Sequence, residues 1–447
     1  MVSRLIDDTG FVKSGATQVK ADEKRRERTM AQAGNAGNGG GSGRVFDVVV
    51  AGAGYVGLAT AVAIRSARPS LSVAVVDAAP PGAWQRDGRA SAIAAAACRM
   101  LDHLGAWQAI APHAQPITDM IVTDSRTHDP VRPVFLTFGG DVGEGEPFAH
   151  MVENRVLNGA LRERAATLGI DIIEGVAVLG FEPGPVSTVV HLADGLPLAT
   201  RLLVAADGVK SRLRDMAGIR TVHWDYGQSG IVCTVAHERP HGGRAEEHFL
   251  PAGPFATLPL KGNRSSIVWT ERTADAERLV KEEPIVFEAE LEQRFGLKLG
   301  EISVETAPRA WPLGLTLARE FVRPRFALAG DAAHGIHPIA GQGLNLGFRD
   351  AAALAEVVVE ADRLGRDIGA LDVLETYQAW RRFDTLQMGI TTDVLNRMFS
   401  NDFGPLRAIR DIGLGLVDRM PRMKDFFIRQ ASGLAENAPR LLRGEAI

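Results

Sequence analysis

The chain has 447 residues, 45% apolar and 23% charged, which is enough for two or three domains with proper cores. A formal net charge of −4 gives no basic field for nucleic acid or anionic lipid, and an aromatic share of 6% argues against a surface that stacks unpaired bases. Glycine is in excess at 48 residues, where a usual share of about 7% would give about 31.

Residues 1–44 mix Lys20, Lys24, Arg25, Arg26 and Arg28 with acids and end in the glycine-rich run Gly34 to Gly43. Such a composition cannot offset chain entropy by burial, so this stretch is expected to be a disordered extension. Val45–Ala51 then reads as a buried strand, Tyr55–Arg68 as a helix that Pro69 stops, and Leu71–Asp77 as a second strand. The alanine-rich stretch Ala92–Leu104 predicts a helix closed by Gly105. A further helix over Glu153–Leu168, closed by Gly169, precedes a strand at Asp171–Glu174.

Residues 175–205 predict short antiparallel strands ending in the buried run Leu202–Ala206. Between residues 220 and 310, the runs Ile231–Val235, Phe255–Leu260 and Ser265–Thr270 are broken by Gly and Pro. With a helix at Ile285–Phe295 they predict a separate antiparallel sheet covered on one face. Phe326–Gly330 is another buried strand, and the chain after Gly343 is mostly helical, with a break at Gly404-Pro405. The apolar stretch Val45–Ile64 is interrupted by Asp47 and three glycines, so neither it nor any other segment is expected to cross a membrane. Cys98 and Cys233 are the only cysteines, too few for a zinc framework or a disulfide scaffold, which fits a reducing compartment.

Three motifs carry chemistry. In Gly52-Ala53-Gly54-Tyr55-Val56-Gly57 a strand turns into a helix. The glycines allow a tight turn, close approach to a pyrophosphate and close helix packing, while the helix N-terminus offers N–H groups to the anion. Asp77 ends the next strand at the spacing of an acid that accepts from an adenosine ribose. At this point NAD and FAD are both open. In the second motif, Leu203–Gly208 leads a buried strand into Val209-Lys210-Ser211-Arg212-Leu213-Arg214, with Asp207 at the turn. The third delivers Gly330-Asp331 at the end of a strand, where α/β sheets place ligands, and continues through His334, His337 and Pro338 to Gly341-Gln342-Gly343-Leu344-Asn345.

In this order and spacing the three motifs resemble the FAD-dependent aromatic hydroxylases, the single-component flavin monooxygenases, from Val45 to the C-terminus. The stretch Gly341–Asp350 and the tail residues Arg429–Leu434 and Pro439–Glu445 are most similar to the ubiquinone-biosynthesis branch, the polyprenylphenol hydroxylases. The resemblance implies an α/β fold with an α+β insert: a Rossmann-like FAD-binding domain, an antiparallel-sheet substrate domain and a helical C-terminus. It implies FAD as cofactor, NAD(P)H as co-substrate and O2 as oxidant for hydroxylating a lipid-tailed phenol. A flavin hydroxylase of another aromatic compound, a same-fold flavin reductase or oxidase, and a non-enzymatic partner of a hydroxylase assembly stay open.

By the same resemblance, Gly52, Gly54 and Gly57 hold the FAD pyrophosphate and Asp77 the ribose. Gly330 and Asp331 reach the ribityl chain, and Arg89 and Arg155 stand near the flavin and pyrophosphate. Asp207 and Arg214 belong to the motif shared by FAD and NAD(P)H, with Arg214 the better phosphate contact. Pro338, Gly341, Gly343, Leu344 and Asn345 lie along the flavin, where Gly341, Gln342 and Gly343 would stabilise its reduced, anionic form. No second glycine fingerprint exists for a nicotinamide nucleotide, so the reductant is expected to dock transiently. No catalytic acid or base is assigned.

His334 and His337 lack a third ligand for zinc, so no metal is expected. Trp311 precedes the third motif and reads equally as core or as active-site wall. Leu395, Met398, Phe399, Phe403, Leu406, Ile409 and Ile412 recur at helical intervals. They offer either core packing or a surface for peripheral membrane or multienzyme contact. The expected division is 45–219 and 323–400 for FAD, 220–322 mainly for substrate and 401–447 for C-terminal helices. The expected location is the cytoplasm, at the inner membrane periphery.

Overall fold

The computed structural model describes residues 44–124, 134–139, 141–143, 145–337, 341–399, 432–433 and 437–447. The expected N-terminal extension and most of the C-terminal helical stretch therefore lie outside the described residues. Strand β1 (Arg44–Ala51) leads through the glycine turn into α1 (Tyr55–Ala67) and on to β2 (Val73–Asp77). β1 and β2 pair in parallel with Val48 beside Val73, and Val48, Val49 and Val50 are fully buried. An unbroken apolar run of this kind suits a parallel strand covered on both faces.

The alanine-rich stretch departs from the expectation. Ala90–Ala94 is a strand, β3, and only Ala95–His103 is helical, α2. Alanine favours a helix locally, but β3 pairs antiparallel with a distant strand, Ala90 beside Glu153 and Ala94 beside Ala149. Strands β4 (Asp119–Asp124) and β5 (Val134–Gly139) follow, then that partner strand β6 (Ala149–Glu153), α3 (Asn154–Thr167), β7 (Asp171–Glu174) and β8 (Leu198–Ala205). Gly105 and Gly169 follow their helices at φ of 76° and 68°, left-handed values that close a helix with little strain in glycine. The first sheet runs β7–β2–β1–β8, with antiparallel strands Thr188–Leu192 and Val178–Pro183 beyond β8.

The second sheet is built mainly from β9 (Thr221–His237), β10 (Arg244–Leu250), β11 (Gly253–Leu260) and β12 (Arg264–Arg272). Helix α4 (Pro284–Phe295) follows, then β13 (Arg309–Ala318). The order across the sheet is β13–β9–β12–β11–β10–β4–β5. Two strands from before residue 219 thus extend this sheet, β4 pairing in parallel with β10. Side-chain alternation gives it two functions. Ile231, Cys233, Val235, Ile267 and Trp269 turn one way, into a core with Phe287 and Leu291 of α4. Gly230, Val232, Val268 and Thr270 turn the other way and line a cavity.

Strand β14 (Phe326–Leu328) returns the chain to the first sheet, parallel to β8 with Leu203 beside Phe326. It precedes α5 (Gln342–Arg363) and α6 (Leu371–Phe399). Helix α5 is buried almost all round, from Gln342 to Ala361, and this puts Arg349, Asp350 and Glu356 inside the protein. Among the described residues no helix is long and apolar enough to cross a membrane.

Cys98 and Cys233 are both free and buried. Burial pushes the Cys98 thiol far up and the Cys233 thiol up to about 12, so neither forms thiolate near neutrality. Native protein is expected to react with a thiol reagent far more slowly than free cysteine, with both thiols released on unfolding. Rapid labelling of the folded protein would contradict this packing.

Candidate active site

The first glycine turn is held from several sides. Gly52 N–H donates to Val76 O at 2.8 Å, Ala53 N–H to Asp77 Oδ2 at 2.8 Å, and Asn158 Nδ2 to Ala53 O at 3.2 Å. Gly52 has φ of 111°, and a Cβ there would lie 2.3 Å from Ala206 O. At Gly57 a Cβ would come within 2.0 Å of Gly52 O. Both positions need glycine for close packing. Gly54 is different: it is the N-cap of α1, no side chain caps that helix end, and a Cβ would meet nothing within 4 Å. The turn is therefore rigid behind and open in front, with α1 N–H groups at the opening. Asp77 spends one lone pair on Ala53 and one on Ala79 N–H at 2.8 Å, and a carboxylate has further lone pairs for ribose hydroxyls.

The second motif braces the third. Arg214 is 6% exposed, and its Nη1 donates to Val209 O at 3.0 Å and Ala332 O at 3.1 Å. These bonds tie its guanidinium to the backbone of Val209 and Ala332, a bracing role beside the phosphate contact expected of it. Asp207 itself accepts from Leu213 N–H at 3.4 Å. Gly330, at φ of 63°, packs on Val56 of α1, and a Cβ at Gly347 would lie 2.4 Å from the same valine. The first and third motifs are thus locked face to face.

Behind the third motif lies a charge network that sequence reasoning missed. Asp350 is fully buried and accepts from Gly330 N–H at 2.9 Å, His334 Nε2 at 2.5 Å and Arg381 Nε at 2.8 Å. Burial opposes its charge, but His334 and Arg381 hold its carboxyl below the usual carboxylate range. Burial likewise disfavours the His334 cation, yet Asp350 raises its pKa above the ordinary histidine value. Arg381 also reaches Asp384 at 2.6 Å, which Arg349 contacts at 3.1 Å. The available signal was Arg349-Asp350 in the middle of an alanine- and leucine-rich helix, where a charge pair must find buried partners. His334 thus serves structure, and among the described residues no His, Cys, Asp and Glu group could hold a metal.

A cavity of about 850 Å³ joins these parts. Asp331, Gly341, Gln342, Gly343, Leu344 and Asn345 all line it. Gly341 caps α5 at φ of 61° with no side-chain cap, and a Cβ at Gly343 would meet open space, so the helix start is bare toward the cavity. Asn345 clips the opposite strand, its Nδ2 donating to Ala92 O at 3.0 Å and its Oδ1 accepting from Ala94 N–H at 2.9 Å. Arg89 also lines the cavity, paired with Asp87 at 2.8 Å and stacked 5.2 Å from the Trp311 ring centroid. Trp311 is 44% exposed, so it is a wall residue and not core. Arg155 pairs with Glu153 at 2.6 Å, is half-exposed, and is not among the cavity's lining residues. Pro338 lies outside the described residues.

Residues 45–384 match the FAD binding domain family. The chain belongs to that family. Ubiquinone hydroxylase UbiL of Rhodospirillum rubrum is 43% identical over 412 residues, covering 91% of this chain and 94% of that protein. The 3-demethoxyubiquinol 3-hydroxylase of Escherichia coli is 33% identical, covering 87% and 98%. The crystal structure of p-nitrophenol 4-monooxygenase from Pseudomonas putida superposes with a TM-score of 0.72 at 19% identity, covering 87% of this chain and 99% of the other, and so shares the fold.

This member of the family is an FAD-dependent hydroxylase. The residues fit the cofactor: a glycine turn closed behind and open in front, a bare α1 N-terminus for pyrophosphate, Asp77 with spare lone pairs, and a second bare helix start at Gly341–Gly343.

Proposed function

We propose that this protein uses NAD(P)H and O2 to hydroxylate the aromatic ring of a polyprenylated phenol in ubiquinone biosynthesis. The observation that carries this reading is the continuity of the cavity, whose lining runs from the third motif to the apolar face of the second sheet. The names of the 43% and 33% identical relatives support the pathway.

Bound FAD supplies the electron transfer and the oxygen chemistry, which no side chain can perform. The chain's own part is binding, orientation and exclusion of water. Backbone N–H groups at the bare start of α5 would hold the flavin end of FAD, and their partial positive charge would stabilise its reduced, anionic form. Asp331, at the cavity end of β14, offers acceptor oxygens to a polyol. We assign 45–219 and 323–400 to FAD and 220–322, with β4 and β5, to the substrate. The apolar sheet face suits a ring that must be kept dry, and a lipid-tailed substrate puts the enzyme beside a membrane surface.

Deleting the gene and weighing the accumulating quinone precursor tests the proposal. Loss of ubiquinone with a precursor one hydroxyl short is the expected result; unchanged ubiquinone would contradict the pathway.

A further inference from the structure

Most of the sheet wall of the cavity is apolar, formed by Met120, Gly230, Val232, Ala256, Leu258 and Val268. Glu247 lies among these residues and is 5% exposed. It shares a strand face with Ala245, another cavity residue, while Glu246 and His248 turn away to Lys298 and to Thr123. Its cross-strand neighbours are Ala256 on β11 and Val122 on β4, neither able to pair with a carboxylate. Among the described residues nothing hydrogen-bonds or ion-pairs with its carboxyl. Natural proteins rarely bury an unpaired acid, and one that faces a ligand cavity awaits a partner from the ligand.

We propose that Glu247 recognises the ring hydroxyl of the phenol, accepting its hydrogen bond and, during the reaction, its proton. This inference rests on the phenol-hydroxylase reading above. The proton passes from the phenol oxygen to the Glu247 carboxylate, and the electron pair left behind enriches the ring carbons ortho and para to that oxygen. One of them takes one atom of O2, with NAD(P)H as the electron source and the second atom leaving as water. The ring then sheds the hydrogen of that carbon as a proton, which with the NAD(P)H hydride and one solvent proton supplies the hydrogens of the new hydroxyl and the water, and Glu247 returns its own proton to the first oxygen. The carboxyl suits a reversible transfer, since burial pushes it up to about 7.

Other charged and titratable groups line the cavity from different elements: Arg89, Lys210, Arg214, Asp215, Asp225 and Asp331, with Tyr55, His223 and His337. Strand β4 places Asp124 at the register position of Phe249. None of these groups contributes to the Glu247 shift, which burial alone produces.

The test uses FAD-loaded protein, 2-farnesylphenol and its methyl ether, with binding read from the absorbance of the bound flavin. At about pH 8 the wild type should bind the phenol about tenfold more tightly than the ether. The preference should shrink at about pH 6, where Glu247 is protonated. Glu247→Gln, whose neutral amide is a weaker acceptor, should show a smaller preference that does not change between the two pH values, while keeping its flavin spectrum. Stability supplies an independent readout. Folding raises this pKa from 4.5 to about 7, so the bound proton's stabilising effect is full below 4.5 and lost as pH rises through 7. Glu247→Gln should therefore melt higher than wild type at about pH 8 and level with it at about pH 4.

An undiminished preference in Glu247→Gln, or none in the wild type, would overturn the assignment. Protein that discriminates through Glu247 yet puts no oxygen from O2 into the phenol would support the contact and overturn the monooxygenase reading. Holoprotein that binds neither compound would overturn both.

Discussion

Asp350→Ala should cost about 3–5 kcal/mol of stability and loosen the third motif's hold on FAD. The carboxylate is fully buried and answers three donors: the Gly330 amide, His334 and Arg381. Its removal leaves the Arg381 cation at 2% exposure with Asp384 as its remaining partner, and takes from fully buried His334 the carboxylate that favours its charge. Because Gly330 N–H is one of the donors, the loss is transmitted directly to Asp331 beside it. Urea unfolding and the FAD content of purified protein read the two effects. Asp350→Asn keeps an acceptor and should fall between variant and wild type. The folded carboxyl titrates below its usual 3.8, so its contribution is complete above that value and lost as pH falls through the lowered pKa. Acid should therefore narrow the gap between Asp350→Ala and wild type. A variant as stable as wild type near neutrality would contradict the network's role.

Gly57→Ala should release FAD, and Gly54→Ala shows why. A Cβ at Gly57 lies 2.0 Å from Gly52 O and 3.3 Å from Ala206 Cβ, with only backbone to yield at the closest point. Overpacking of this kind costs about 1–3 kcal/mol or displaces the turn, which for ligand held on that turn is about a hundredfold in affinity. A Cβ at Gly54 meets no protein atom within 4 Å. Gly54→Ala should thus leave the apoprotein's unfolding free energy within about 0.5 kcal/mol of wild type while still weakening FAD, because the methyl enters the ligand's space. Titration of the apoprotein with FAD, beside thermal melts, separates the two positions. Unchanged FAD affinity in Gly54→Ala would show that the ligand does not approach this face.

Local sequence was informative wherever chemistry and backbone shape coincide. The turn after β1, the strand at Asp171–Glu174 and the helix closures at Gly105 and Gly169 could be read because glycine, proline and unbroken apolar runs act within a few residues. β3 could not, since its strand state comes from pairing with β6 some sixty residues away while its alanines favour a helix. The same limit applied to the joining of β4 to β10. Site residues followed this pattern. The glycine cradle was readable from spacing, whereas the bracing by Arg214, the Asp350 network and Glu247 depend on which partners the fold supplies or withholds. A glutamate in the run Arg244–Leu250 looks like any exposed strand acid until the sheet turns it toward the cavity.

On the proposed function, oxygen from O2 enters a phenol ring in this cavity. FAD-loaded protein incubated with NAD(P)H, a polyprenylphenol and ¹⁸O-labelled dioxygen should give product with one labelled oxygen in a new ring hydroxyl. Reductant consumed with hydrogen peroxide and unaltered phenol, or a new hydroxyl labelled only from water, would contradict it.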